Sequence, residues 1–148
     1  MTARIRIATT IDASRAQVWD VVESIEDHVD WMGDAERIEF VSRAHRGVGT
    51  EFDCFTRIGP FRLRDRMTVT EWDAGHAVAI EHRGVVSGTG RFALRSKRRG
   101  RTRFIWTERL RFPWWMGGPV GEQIAKPVFK RVWRGNLRRL RKIAEGRP

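Results

Sequence analysis

The sequence predicts an α+β fold: a curved seven-stranded antiparallel sheet covered by one long C-terminal helix, with two short helices between strands 1 and 2. Three features carry that prediction. A strand-like alternation gives way to a helical period near Ile11, a period of two runs from Ala35 to Phe112, and a helical period returns from Pro119 to Ala144.

The first strand is "RIRIATTI", with Ile5, Ile7, Thr9 and Ile11 on one side and Arg4, Arg6, Ala8 and Thr10 on the other. "DASRAQVWDVVESI" follows, with Asp12 or Ser14 as N-cap and Val18, Val21, Val22 and Ile25 at helical spacing. A second short helix spans Glu26 to Trp31 and ends at Gly33. Six strands are expected at about 36–43, 50–58, 61–72, 76–83, 88–97 and 101–112. The stretches "RGVG", "IGP", "DAG", "RGVVSG" and "KRRGR" supply turn chemistry between them. Connections this short make successive strands antiparallel.

The last helix carries Pro119 in its first turn and an apolar stripe of Val120, Ile124, Val128, Val132, Leu137, Leu140 and Ala144. Lys126, Lys130, Arg131, Arg134, Arg138, Arg141 and Lys142 cover much of the rest, and Pro127 should kink or open the helix locally. At about 1.5 Å per residue it runs about 39 Å, enough to cross a small domain. One helix about 10 Å wide cannot fill the concave side of a twisted seven-stranded sheet. A space between sheet and helix is the expected consequence.

Length and composition are consistent with one domain over residues 1–148: 41% of residues are apolar and 32% charged. No run of 18 apolar residues exists to cross a membrane, and the N-terminus lacks a signal-peptide stretch, so a cytoplasmic protein is expected. The single cysteine, Cys54, cannot form an internal disulfide and reads as a small buried hydrophobe. Net charge is +11, and 25 of the 29 basic residues are arginine. Such a charge attracts polyanions, but no aromatic-interleaved motif accompanies it, so nucleic acid is not the expected partner. "SKRRGRTR" and the terminal helix carry the polyanion-binding alternative, and solvated charged faces are the plainer reading.

The inward set on the 61–72 strand is Leu63, Asp65, Met67, Val69 and Glu71, and on the 101–112 strand Thr102, Phe104, Trp106, Glu108, Leu110 and Phe112. The other strands add Phe52, Cys54, Thr56 and Ile58, then Val78, Ile80 and His82, then Gly88, Gly90, Phe92 and Leu94. An aromatic-rich lining with few polar groups is the usual character of a small-molecule pocket. A carboxylate on an apolar face is costly unless paired. Asp65 and Glu108 are therefore candidate ligand anchors or proton-transfer groups, or carboxylates that pair with arginines or are turned outward by a β-bulge. His82 joins them as a candidate base, against the plainer reading of a satisfied core or rim histidine. The four histidines lack metal-ligand spacing, and no phosphate-loop context or G-x-S-x-G elbow is present. No metal and no cofactor are expected.

"RFPWWMGGP" (Arg111–Pro119) joins the last strand to the long helix. Trp114, Trp115 and Met116 offer apolar surface, with backbone freedom at Gly117 and Gly118. Beside a Lys/Arg-rich helix, they also suit peripheral contact with an anionic membrane.

"ASRAQVWDVVESIEDHVDWM", "RGVGTEF", "VTEWDAG", "GRTRFIWTERL" and the closing "LRRLRKI", in that order, resemble the START-like (SRPBCC) superfamily over essentially the whole chain. That group includes the polyketide cyclase/dehydrase and lipid-transport family and related plant pollen allergens. The resemblance implies a helix-grip fold, a hydrophobic cavity, and binding of lipids, sterols, polyketides or other bulky apolar molecules. It also implies that the Arg111–Pro119 link lies by an opening to the cavity, where it would close the mouth as a lid or plug the end of the core. Some relatives are aromatase/cyclases and others bind without chemistry. The family has no universal catalytic motif, so no catalytic residue carries over by position. The expected function is to hold a hydrophobic small molecule, lined by Phe52, Cys54, Met67, Val69, Ile80, Phe92, Phe104, Trp106 and Leu110 from the sheet, Trp114 and Trp115 from the link, and Val128 and Val132 from the helix. The enzymatic alternative assigns proton transfer to Asp65, Glu108 or His82.

Overall fold

The computed structural model describes residues 3–146. In chain order it contains β1 (Ala3–Ile11), α1 (Arg15–Val22), a 3-10 helix (Ile25–Asp30), β2 (Ala35–Phe40), β3 (Glu51–Ile58), β4 (Phe61–Asp73), β5 (Ala77–Arg83), β6 (Ser87–Ser96), β7 (Thr102–Arg111) and α2 (Gly118–Glu145), with two further single 3-10 turns at Arg98–Gly100 and Trp114–Met116. The sheet order is β1-β7-β6-β5-β4-β3-β2, and each neighbouring pair is antiparallel. Thus β1 and β2 are opposite edges linked by the two short helices. From β2 onward the chain meanders back until β7 pairs with β1. The helix-grip architecture expected from the sequence is present.

Local chemistry explains the boundaries. Ser14 caps α1 with a capping box: its Oγ accepts from the Gln17 N–H, and the Gln17 side chain accepts from the Ser14 N–H. α1 stops at Val22, and a 3-10 helix takes over to bury Ile25 and His28. On β4 the alternation holds from Leu63 to Val69, then breaks. A register shift between Val69 and Glu71 reverses the parity. Glu71 was expected inside; instead it receives Arg91 Nε at 2.7 Å on the outer face, and Trp72 turns in against Trp19 with ring centroids 5.3 Å apart.

α2 departs from its expected stripe. Its buried face is Trp133, Asn136, Leu137, Leu140 and Ala144, whereas Val120, Ile124 and Val128 face solvent and Val132 is half-buried. Residues 120, 124 and 128 share one helical face, and the buried set occupies another. The helix is continuous through Pro127. Polar bonds hold it: Asn136 donates to Asp34 at 2.8 Å and accepts from the Gly33 N–H at 3.0 Å, and Arg139 Nε donates to the Trp31 carbonyl at 3.0 Å. Near the start of α2, buried Glu122 accepts from the Phe112 N–H at 3.1 Å. At its end Glu145 accepts from the Asp12 N–H at 2.9 Å.

The strand register sets two ends. The Gly59–Pro60 turn, the Gly84–Val86 connection and the link from β7 to α2 lie together at one end, called open because Phe61, Val85, Trp114 and Trp115 are left exposed there. The C-terminal half of α2 reaches the other, closed end beside Asp12.

Candidate functional site: a cavity with one polar wall

Between the concave face and α2 lies a cavity of about 120 Å³, partly open to solvent. That is the liquid volume of roughly four waters. Its walls are largely apolar. Phe52, Cys54, Met67, Ile80, Phe92, Trp106 and Leu110 line it, as do Thr56, Ile58, Leu63, Val78 and Gly90. Val69 and Phe104 are buried in the core without lining it, and Val128 and Val132 lie outside its wall. Trp114 and Trp115 do not plug the core: they are 87% and 63% exposed and belong to no part of the lining.

The residues that sequence reasoning did not place in the lining come from the loops and from the shifted face of α2. Ile25, His28, Met32, Asp34 and Ala35 close one side, and Phe129 and Trp133 close another. Trp133 stacks on Trp106 with centroids 4.9 Å apart and on Phe129 at 5.2 Å. Trp133 sits next to Val132, so a helical wheel rotated by one residue would have found it.

The polar wall brings Asp65, His82 and Glu108 to one cavity. How His82 of β5 meets Glu108 of β7 depends on the strand between them. In register, His82 faces Gly88 and Glu108 faces Gly90, both on β6. With no side chains at those positions, His82 reaches across to place Nε2 3.0 Å from Glu108 Oε2. This is an ion-pair contact rather than an aligned hydrogen bond, and among the described residues the two atoms have no other partner. Glu108 Oε1 accepts from Trp106 Nε1 at 2.9 Å. A Cβ on Gly90 would run into the Glu108 carboxylate, so the glycine is what makes room.

Asp65 is placed the same way. A Cβ on Gly84 would collide with Asp65 Oδ1. Asp65 is 6% exposed, and Oδ1 has no hydrogen-bond partner among the described residues. Asp53, on the neighbouring strand β3 and on the outer face, shows the contrast. It receives Arg66 Nε at 2.6 Å and Arg64 at 2.8 Å, and the Arg66 bond, opposed by burial and aided by Arg64, holds it below the usual carboxylate range.

Electrostatics follow from these contacts. Burial pushes Asp65 up to about 6, and the His82 charge only partly offsets it. Burial pulls His82 down, but the Glu108 charge and contact, with Asp65 behind them, leave it raised. His28 is pulled down to about 4 by burial and donates from Nε2 to the Val22 carbonyl at 2.6 Å, which makes it a neutral structural histidine. Burial also raises Cys54 to about 11, so the thiol is not a nucleophile at neutral pH.

With that geometry in hand, the comparisons are decisive at the level of family. Residues 2–145 match the family described as polyketide cyclase / dehydrase and lipid transport. The chain belongs to this family. Among solved structures it is similar to an aromatase/cyclase, ZhuI, from a Streptomyces species, with TM-score 0.80 and 14% identity over 98% of this chain and 94% of that one. It is also similar to Ara h 8.0201, with TM-score 0.74 and 11% identity over 99% of this chain and 100% of that one. A third is StfQ, a di-domain aromatase/cyclase of the steffimycin biosynthetic pathway, with TM-score 0.72 and 16% identity, where 95% of this chain covers 44% of the other. No curated protein matches the sequence. Identities this low establish the shared fold. Among the described residues no helix is long and apolar enough to cross a membrane.

Proposed function

We propose that this protein holds a bulky hydrophobic or aromatic small molecule in the cavity between the sheet and α2. The observation that carries this reading is the cavity itself: about 120 Å³ of partly open space with aromatic walls and one polar wall. Family membership supports it. Naphthalene should bind the purified protein and quench emission from Trp106 and Trp133, and Met67→Trp, which fills the space, should abolish the effect. Native mass spectrometry of fresh protein should show a co-purified apolar molecule. No quenching at saturating naphthalene would sink the reading.

The open end suits loading from an anionic bilayer. Phe61, Val85, Trp114, Trp115, Val120, Ile124 and Val128 are exposed there, and Arg62, Arg111 and Arg131 are exposed among them. Apolar side chains entering the interface beside arginines that meet lipid phosphates is the chemistry of a peripheral contact. Vesicles containing phosphatidylserine should sediment the protein and pure phosphatidylcholine vesicles should not. Equal recovery in both supernatants overturns the contact.

The His82–Glu108 pair supports a second reading, a cyclase or dehydratase in which these groups and Asp65 move protons on a bound polyketide. It predicts that His82→Gln binds an aromatic ligand as well as the native protein does yet fails to speed cyclisation of a poly-β-ketone thioester. Equal rates for both proteins would remove it.

A further inference from the structure

The polar wall has an uneven supply of donors and acceptors. Three carboxylates line the cavity: Asp34, Asp65 and Glu108. Asp34 accepts from Asn136 Nδ2 at 2.8 Å and from Trp133 Nε1 at 3.4 Å. Glu108 accepts from Trp106 and faces His82. Among the described residues Asp65 has no donor on Oδ1, and the charge that bears on it is that of His82.

The cations are equally informative. Among the described residues no lysine lines the cavity, and the one arginine that does, Arg91, turns its guanidinium to Glu71 on the outer face, at 2.7 Å. His82 is engaged by Glu108. A ligand carboxylate entering this space would meet no uncommitted positive group and at least one more negative one. In a low-dielectric setting like charges at such range repel strongly. A donor would do the reverse. It would satisfy Asp65 Oδ1, whose burial without a partner is costly.

We infer that the cavity takes an aromatic body bearing a hydrogen-bond donor, a hydroxyl or a protonated amine, seated on Asp65, whose carboxylate fills the space that Gly84 leaves, and discriminates against carboxylates. This rests on the ligand-binding reading above and narrows it. Fatty acids and other apolar anions are excluded from the polar wall even though the protein's exterior is strongly basic. The surface charge and the cavity therefore select for opposite things.

Four ligands sharing one body separate these ideas: naphthalene, naphthol, naphthylmethylamine and naphthoate, titrated by calorimetry or tryptophan quenching at mildly alkaline pH. Naphthol and the amine should each bind about tenfold tighter than naphthoate, the size of one hydrogen bond to a charged group. Asp65→Asn keeps a carbonyl acceptor, so naphthol binding should persist while the amine loses its advantage. Asp65→Leu should bring both down to the naphthalene level. If naphthoate binds as tightly as naphthol, or if Asp65→Leu leaves the ranking intact, the inference is wrong while the cavity reading stands. If none of the four binds, naphthalene included, the cavity reading fails and takes this inference with it.

Discussion

The two halves of α2 are made from one continuous helix and similar residues, yet they do opposite things. From Trp133 to Ala144 the helix buries Leu137, Leu140 and Ala144 and is tied to the Trp31–Asp34 loop by Asn136 and Arg139. From Gly118 to Val128 it shows Val120, Ile124 and Val128 to solvent, and its buried polar tie is Glu122 to the Phe112 N–H. One half closes the core and supplies Trp133 to the cavity wall, and the other stands at the open end without lining the cavity. The difference teaches that hydrophobic spacing in a helix reports apolar faces without saying which of them is buried. Stability should reside in the closed end and selectivity in the open one.

The largest effect should come from the closed end. Leu140→Ala, at a fully buried site, should cost about 2–5 kcal/mol in urea denaturation. A loss below the range of surface substitutions would mean the two halves do not differ as described. Next comes Gly90→Ala at the open end. Its Cβ meets the Glu108 carboxylate, and overpacking of this kind costs about 1–3 kcal/mol. The His82 titration followed by NMR should fall at the same time, because the charge that raises it has been pushed away. An unmoved His82 titration would mean that β6 does not govern the pair.

A smaller, pH-dependent effect belongs to Asp65. Its folded value, about 6, lies above the ordinary 3.8, so its contribution is fully present below pH 3.8 and is lost as pH rises through about 6. The raised His82 adds a loss of the same sign as pH rises past 6.5 through its folded value. Asp65→Asn should therefore melt higher than the native protein above pH 6, with the gap closing toward pH 4. A gap that widens on acidification would contradict the buried, unpaired placement of this carboxylate. The smallest stability change should be Ile124→Ser, within about 0.5 kcal/mol of the native protein. It should nevertheless weaken sedimentation with phosphatidylserine vesicles, and a large loss of stability there would show that the exposed half of α2 is packed after all.

Much of the fold was legible because its signals are local. Alternation in "RIRIATTI" and turn chemistry such as "DAG" placed β1 and the meander, and period two alone put Asp65, His82 and Glu108 on the inner face. Two things were not legible. The bulge at Thr70 inserts one residue and inverts everything after it, so Glu71 and Trp72 exchanged faces. The choice between the Val120–Val128 face and the Trp133–Ala144 face depends on where the loops carry Trp31 and Asp34, which is a tertiary matter. The site was legible as a set of inward residues and illegible as an arrangement. Gly84 read as turn chemistry and Gly90 as an inward strand residue, while their role is to leave volume for the carboxylates of Asp65 and Glu108 on neighbouring strands.

Pro127 falls at the border of those two halves. Having no N–H, it leaves the Gln123 carbonyl without its rung in the ladder, one backbone bond missing from a helix that otherwise runs on unbroken. With Val120, Ile124 and Val128 exposed, the turns before Pro127 should exchange their amide hydrogens sooner than those around Leu137, Leu140 and Ala144. Fraying at that end of the rod need not loosen the keel.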